Sequence, residues 1–392
     1  MLAKLRDSDL LARLVAFDST SRKSNLPIAD FVCDYLDDSA IEIVRNTSED
    51  GRKVNLAIRI CGTHPRPSGA GEPGCNSGGI VLCGHLDVVP ADEPDWRSDP
   101  FTLTKTDDAY VGRGACDMKG FVALAINLAR RAVGWELTHP LVLLFTFDEE
   151  VGLLGASHFV NSWSRPFALP RGVLVGEPTS MRLVRMHKGY VQMRITLKGR
   201  SAHSGYPALG VNAIEPAARA VSALSDLRAA LQTEHHESSR YFPEAPYAAL
   251  NVAQICGGSA VNVIPEHCSI DLTVRILPGA DSGPVVARVR QAVENLDDRV
   301  ACVVEVDHDN PPLFLPEESA TNQRLAELLG QRDTVGVSYS SDAGVLQKMG
   351  LECALWGPGN IEVAHKPNES MPKEEFAQAA MVLERIVREF CK

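Results

Sequence analysis

Apolar side chains near the start of the chain recur at Leu2, Leu5, Leu10, Leu11 and Leu14, close to helical spacing, so residues 2–17 read as an amphipathic helix. A second helix is expected over residues 27–36. Residues 54–61 and 80–83 then read as strands, and the stretch 63–79 between them, dominated by Gly, Pro and Ser, reads as an exposed hairpin extension. From residue 80 onward strand and helix patterns alternate, the signature of a parallel sheet with covering helices. Phe121, Leu124, Ala125 and Leu128 mark the core face of one helix. Residues 141–147 form an unbroken apolar run of strand length, as expected for a strand buried on both faces, and 173–175 supply the next strand.

Beyond Glu177 the texture changes. Residues 190–197 and 250–255 are β-rich, and 269–276 alternate strictly through Ile270, Leu272, Val274 and Ile276. Helices are suggested at 212–231 and 283–296, and a further strand at 302–306. Strand, helix, two strands, helix, strand describes a small α+β sandwich of ferredoxin-like type. It reads as a separate domain over residues 181–309, with Asn310-Pro311-Pro312 as the linker back to the first domain. That α/β domain, residues 1–180 and 310–392, resumes with a helix at 321–329, a strand at 353–356 and a last helix at 372–391. The last helix carries Phe376, Ala379, Ala380, Leu383, Ile386, Val387 and Phe390 on one stripe.

A chain of 392 residues, 45% hydrophobic and 23% charged, is long enough for two domains with real cores. No apolar run approaches the roughly 18 to 20 residues that span a bilayer, and the mixed-charge N-terminus differs from a secretory signal. The cytoplasm is therefore the expected compartment, with no membrane partner. The ten cysteines include no Cys-x-x-Cys pair. Those in apolar runs (Cys61, Cys83, Cys302, Cys353) read as buried thiols of a reducing compartment. A formal charge of −11 argues against a nucleic-acid partner.

Five short segments carry the candidate chemistry: Gly84-His85-Leu86-Asp87, Gly114-Ala115-Cys116-Asp117-Met118-Lys119-Gly120, Asp148-Glu149-Glu150, Gly176-Glu177-Pro178-Thr179 and Ala364-His365-Lys366-Pro367. The first four each follow a run that reads as a strand, where open α/β sheets gather their ligands. A metal-bound imidazole needs its second ring nitrogen tied down, and Asp87, two residues beyond His85, can do that. Asp117 stands at a strand-to-helix turn among Gly112, Gly114 and Gly120, whose backbone freedom lets one carboxylate face two ions. It also reads as a helix N-cap, which needs no ion. Glu149 and Glu150 close a buried run, so one can bind metal while the other takes a proton from water. A solvated acidic cluster with Asp148 is the plainer alternative. His365 follows Gly357-Pro358-Gly359-Asn360, and only the fold can bring it to the rest. Each residue alone has an ordinary structural explanation. Together they offer oxygen and nitrogen donors without thiolates, which suits two divalent metal ions, zinc first and cobalt or manganese after it. Cys116 falls outside the ligand pattern and reads as packed.

In this combination the motifs resemble those of the dinuclear zinc amidohydrolase family that includes acetylornithine deacetylase, succinyl-diaminopimelate desuccinylase, aminoacylase and carboxypeptidase G, over nearly the whole chain. The resemblance implies a catalytic α/β domain with an inserted lid that dimerises. It implies that Asp117 bridges the metals, that His85 and Glu177 complete one site, and that Glu150 and His365 complete the other. Glu149 would be the general base and Asp87 the orienter of His85. In the lid, Ser201-Ala202-His203-Ser204-Gly205 is similar to the segment whose histidine stabilises the oxyanion. Asn262 and Arg275 match residues that bind the substrate carboxylate, although Arg275 also reads as a solvent-facing strand residue. Residues 357–369 are most similar to the acetylornithine deacetylase branch, and Gly357 and Asp342 are expected to line the substrate pocket. Asp342 stands where many of that branch carry glutamate. The implied reaction is hydrolysis of an N-acyl amino acid, N2-acetyl-L-ornithine first, as in arginine synthesis. Its rivals are desuccinylation, aminoacylase or dipeptidase activity and, in another class, a non-catalytic binding protein on the same fold. The implied partners are a small-molecule substrate and a second copy of the chain.

Overall fold

The computed structural model describes residues 2–61, 78–333 and 335–392, so nearly all of the expected hairpin extension lies outside the described residues. Two compact units emerge. The first comprises Met1–Arg185, Leu315–Val335 and Ser341–Lys392, and the second Met186–Phe314 with Gly336–Ser340. The crossings therefore fall a few residues beyond the expected boundaries at 180/181 and 309/310. Residues just past 180 belong to the first unit because its backbone and side chains claim them: the Met181 carbonyl accepts from Trp356 Nε1 and from Gln331 Nε2, both at 2.8 Å, and Val184 pairs with Leu355. On the return, Asn310 still belongs to a strand and Leu315 is the first residue in the large core.

The first unit is built on a sheet whose strands follow the spatial order Ile41–Thr47, Val54–Ile60, Leu141–Thr146, Ile80–His85, Gly172–Val175 and Glu352–Leu355. The last four are mutually parallel. The hairpin of the first two joins them antiparallel. Register places Leu143, Leu82, Leu174 and Ala354 side by side on one face. They share one core with Phe121, Leu124 and Leu128 of helix Lys119–Ala132 and with Leu383 and Ile386 of helix Lys373–Phe390. Full burial of an apolar side chain of leucine or phenylalanine size contributes about 1.5–3 kcal/mol. Alternate residues such as Val81, Val142 and Val173 are buried as well. The short helix Asp342–Leu346 packs against these strands, in a separate small cluster with helix Leu154–Ser162. Strands covered on both faces read as continuous apolar runs, which is why the sequence displays them so plainly.

The N-terminal helix spans only Asp7–Val15; Leu2 is exposed, so the apolar spacing at the very start belongs to an irregular lead-in. Among the described residues no helix is long and apolar enough to cross a membrane. The second unit contains strands Gly189–Lys198, Ala249–Gly257, His267–Ile276 and Ala301–Asn310, with helices Ile214–Gln232 and Gly283–Ala292. Its sheet order, Ala249–Gly257, His267–Ile276, Gly189–Lys198, Ala301–Asn310, is antiparallel throughout. That is the ferredoxin-like arrangement. The alternating residues Val191, Met193, Ile195 and Leu197 join Ile270, Leu272 and Val274 in a core closed by Ala217, Ala220 and Leu224. Cys302 does not join the buried thiols: it is exposed, because Ala301–Asn310 is an edge strand.

Candidate active site

Parallel strands deliver their carboxyl ends to one edge of the sheet. His85 ends its strand, the Asp148–Glu150 turn follows Thr146, and Glu177 and Gly357 each stand two residues past a strand end. At this edge two groups of three potential ligands share Asp117: His85, Asp117 and Glu177, and Asp117, Glu150 and His365. Within each group one donor atom per residue lies within 4.8 Å of the others. Asp117 divides its oxygens between them. Its Oδ1 is 3.0 Å from His85 Nε2, and its Oδ2 is 3.3 Å from His365 Nε2, which also stands 2.9 Å from Glu150 Oε2. Two donors on one tetrahedral ion, each at ~2.0–2.1 Å, would lie about 3.3 Å apart. The donor set therefore has the spacing of a metal site.

Two further observations fit divalent ions. His85 Nδ1 is 2.9 Å from the Asp87 carbonyl oxygen, so Nδ1–H donates there and the Nε2 lone pair is left facing Asp117 Oδ1. Only a proton or a cation makes that attractive. Glu177 is buried, and among the described residues its Oε1 has no hydrogen-bond partner. The electrostatic surroundings point the same way. Burial pushes the Glu149 carboxyl well up, reinforced by Glu177, and pushes Glu177 well up, reinforced by Asp117. Glu150 is pushed up to about 7 by burial and by Asp117. Burial would also raise Asp117, but hydrogen bonds with His365 and His85 outweigh it and hold this carboxyl below its ordinary range. Hydrogen bonds to Asp117 and Glu150 push His365 up to about 10. Crowded carboxylates of this kind need counter-charge, and bound divalent ions are the strongest local source of it.

The turns that carry the ligands are gripped through their backbones. The Asp87 carboxylate accepts from Ser21 Oγ at 2.7 Å and from the amides of Glu149 and Glu150 at 3.1 and 3.3 Å. It stands 3.7 Å from His85 Nδ1. The orienting contact expected of the Asp87 side chain is thus made by its carbonyl, while the carboxylate holds the Glu149-Glu150 turn. Asp148 adopts a left-handed φ of 50° and is paired with Lys53, whose Nζ also donates to the Ser21 carbonyl. His365 is left-handed too, with φ 60°. Non-glycine residues in that region store strain and cluster at functional sites. Asp117 does not cap the following helix; Met118 occupies the cap position, and the turn before it uses Gly114 at φ 78°. Cys116 is buried, its Sγ directed at the Asn360 carbonyl.

Two residues expected to line the substrate pocket are buried. Asp342 is buried at the start of its helix, accepts from Thr146 Oγ1 at 2.6 Å, and is pushed up to about 6 by burial. Its carboxylate is held against the end of strand Leu141–Thr146. Gly357 has both backbone groups engaged: its amide donates to Thr179 Oγ1 at 3.1 Å, and its carbonyl accepts from the Met181 amide at 2.9 Å. Its role is to let two chain segments touch behind Glu177. The remaining candidates belong to the second unit. His203 and Asn262 are neighbours on a two-stranded ribbon, where His203 pairs with Val263 and the Ser204 amide donates to the Asn262 carbonyl. His203 is exposed, and its Nδ1 accepts from the Gly205 amide at 3.0 Å, leaving Nε2 to carry the ring proton. Arg275 is half-buried over the Tyr190 ring at 4.4 Å, and among the described residues no carboxylate pairs with it. Sequence reasoning missed Ser21, Lys53 and Arg113. Only Arg113, set between Gly112 and Gly114, carried any local signal.

Fold and site together define a metal-dependent hydrolase. The profile of peptidase family M20/M25/M40 matches residues 81–389, and the chain belongs to this family of metal-dependent amidohydrolases. It is 34% identical over 383 residues to acetylornithine deacetylase of Yersinia pseudotuberculosis, a match covering 96% of this chain and 94% of that one. Among solved structures, an M20 family metallo-carboxypeptidase from Sulfolobus solfataricus superposes with a TM-score of 0.76 at 16% identity, covering 99% of each chain. Aminopeptidase PepT from Bacillus cereus gives 0.73 at 20% identity, covering 99% of this chain and 98% of its own.

A Cβ on Gly357 would stand 2.6 Å from the Gly176 carbonyl oxygen and 2.7 Å from that of Glu177. Gly357→Ala should therefore displace Glu177 and lower the zinc retained after dialysis against buffered free zinc, while far-UV circular dichroism stays unchanged. Full zinc retention would show that Gly357 does not set the position of this ligand.

Proposed function

We propose that the protein hydrolyses the amide bond of an N-acyl amino acid, with N2-acetyl-L-ornithine as its first substrate, in the arginine synthesis of the cytoplasm. The observation that carries the chemistry is the division of the Asp117 oxygens between two ligand groups, with Glu149 on the same turn as Glu150. The choice of acyl amino acid is supported by the 34% identity to an acetylornithine deacetylase across almost both full chains.

His85, Asp117 and Glu177 would hold one divalent ion and Asp117, Glu150 and His365 the other, zinc first, with cobalt or manganese as substitutes. Such ions supply Lewis acidity toward the amide carbonyl and acidify water. Glu149 accepts the proton of the attacking water and returns it to the leaving amine; burial, which raises its carboxyl, suits it to that exchange. His203 donates from Nε2 to the developing oxyanion. Arg275, which no carboxylate among the described residues pairs with, receives the substrate carboxylate together with Asn262. The lid pairs with its mate in a homodimer and sends His203 into the partner's site.

A substrate panel tests this reading. The highest kcat/KM is expected for N2-acetyl-L-ornithine, above N-succinyl-diaminopimelate, other N-acetyl amino acids and dipeptides. Chelation should abolish turnover, and zinc or cobalt should restore it. Full activity in rigorously metal-free protein would end the two-metal reading, and a preferred succinyl or dipeptide substrate would move the assignment within the family.

Glu149→Ala should retain both ions yet lose several powers of ten in kcat, whereas Glu150→Ala should lose metal. The opposite pattern in metal analysis would reverse the two roles.

Mixing Glu149→Ala and His203→Ala protomers tests the lid. If His203 acts across the dimer, each mixed dimer holds one intact site, and equal mixing with free exchange recovers about a quarter of wild-type activity. No recovery after proven exchange would place His203 in its own chain's site.

A further inference from the structure

Glu369, four residues past His365, has no part in the chemistry above, yet it is 1% exposed and fully engaged. Its Oε1 accepts the amides of Cys116 and Asp117, each at 2.9 Å. Its Oε2 accepts the Gly114 amide at 3.0 Å and Arg113 Nη1 at 3.1 Å. Arg113, equally buried, donates onward to the Lys366 carbonyl at 3.3 Å, the Pro90 carbonyl at 2.9 Å and Glu93 at 2.9 Å. One carboxylate thus grips the turn that carries the shared ligand, and its counter-ion grips the residue directly after His365.

The two ligand groups depend on this grip unequally. His85 and Glu177 are placed by the ladder of parallel strands, whose pairings do not involve Glu369. His365 sits on a loop with a left-handed backbone and a half-exposed ring. Its position relative to Asp117 runs through Lys366, Arg113 and Glu369. A purely space-filling residue would not need four donors converging on two oxygens, since burying a charge demands full satisfaction and supplies orientation in return.

We propose that Glu369 is a positioning residue that, with Arg113, aims Asp117 between the two groups, and that the ion held by Asp117, Glu150 and His365 depends on it more than the ion held by His85, Asp117 and Glu177. The proposal rests on the two-ion reading. Glu369→Gln preserves volume but replaces one acceptor oxygen with an NH2 donor, which must face a backbone amide or Arg113.

Metal analysis across a series of buffered free-zinc concentrations tests it. Wild type should take up two equivalents. Glu369→Gln should keep one affinity and weaken the other by about 10- to 100-fold, the range for residues that orient ligands. Glu369→Gln in a His365→Ala background should add no further loss, whereas in a Glu177→Ala background it should remove the remaining ion. In the metal-free protein the Gly114, Cys116 and Asp117 amides should exchange faster in the variant, with those of Leu141–Thr146 unchanged. Two wild-type affinities, or equal weakening of both, would overturn the proposal. If Glu369→Gln does not fold, Glu369→Asp keeps the charge at shorter reach and must show the same ordered loss in smaller measure; wild-type affinities there overturn it. A wild type that binds fewer than two ions would instead defeat the two-ion reading, and this proposal with it.

Discussion

Mutual repulsion among buried carboxylates is the constraint that the first unit is organised to withstand. Two like charges about 4 Å apart repel by about 4 kcal/mol at the effective dielectric of a protein site, and Asp117, Glu149, Glu150 and Glu177 crowd a single sheet edge. Long flexible side chains would relieve such strain by swinging apart. The turns that carry them cannot move apart, because the restraint is applied to the backbone. Asp87 takes the amides of Glu149 and Glu150, Glu369 takes those of Cys116 and Asp117, and Thr179 and Gly357 interlock behind Glu177. In every case the backbone of the ligand-bearing turn is held and the side chain is left free to ligate. The gripping carboxylates add further negative charge, which hydrogen-bond donors such as Ser21 and Arg113 compensate locally.

This explains what the sequence could and could not reveal. Strands buried on both faces must be apolar at every position, so the run before Glu149 was visible as a strand and its polar end as a candidate ligand turn. Strict alternation from Ile270 to Ile276 likewise betrayed a sheet with one covered face. Spacing says nothing about direction, however. Asp87 was expected to use its carboxylate on His85 and uses its carbonyl, because the carboxylate is claimed by amides 62 and 63 residues away. Asp342 and Gly357 were marked for the substrate pocket by the resemblance alone; that Thr146 donates to one and Thr179 interlocks with the other could not be read from spacing. Cys302 lies in an apolar run that happens to form an edge strand. Strand Ile41–Thr47 is only half-buried and mixes charged with apolar residues, so no pattern announced it.

Separate cores in the two units bear on how one metal chemistry serves different amides. All members of both candidate ligand groups, and Glu149, belong to the first unit. His203, Asn262 and Arg275 belong to the second, whose core is built from its own strands and helices. Residues on the second unit can therefore change without disturbing the ladder that places the metal ligands. A metallo-carboxypeptidase and an aminopeptidase share this fold at 16% and 20% identity, so the fold itself does not dictate which amide is cleaved. In the reading proposed here, the sheet edge fixes the reaction and the inserted unit fixes the substrate. The exposed ribbon carrying His203 and Asn262, together with half-buried Arg275, which no carboxylate among the described residues pairs with, is where substrate preference should be sought.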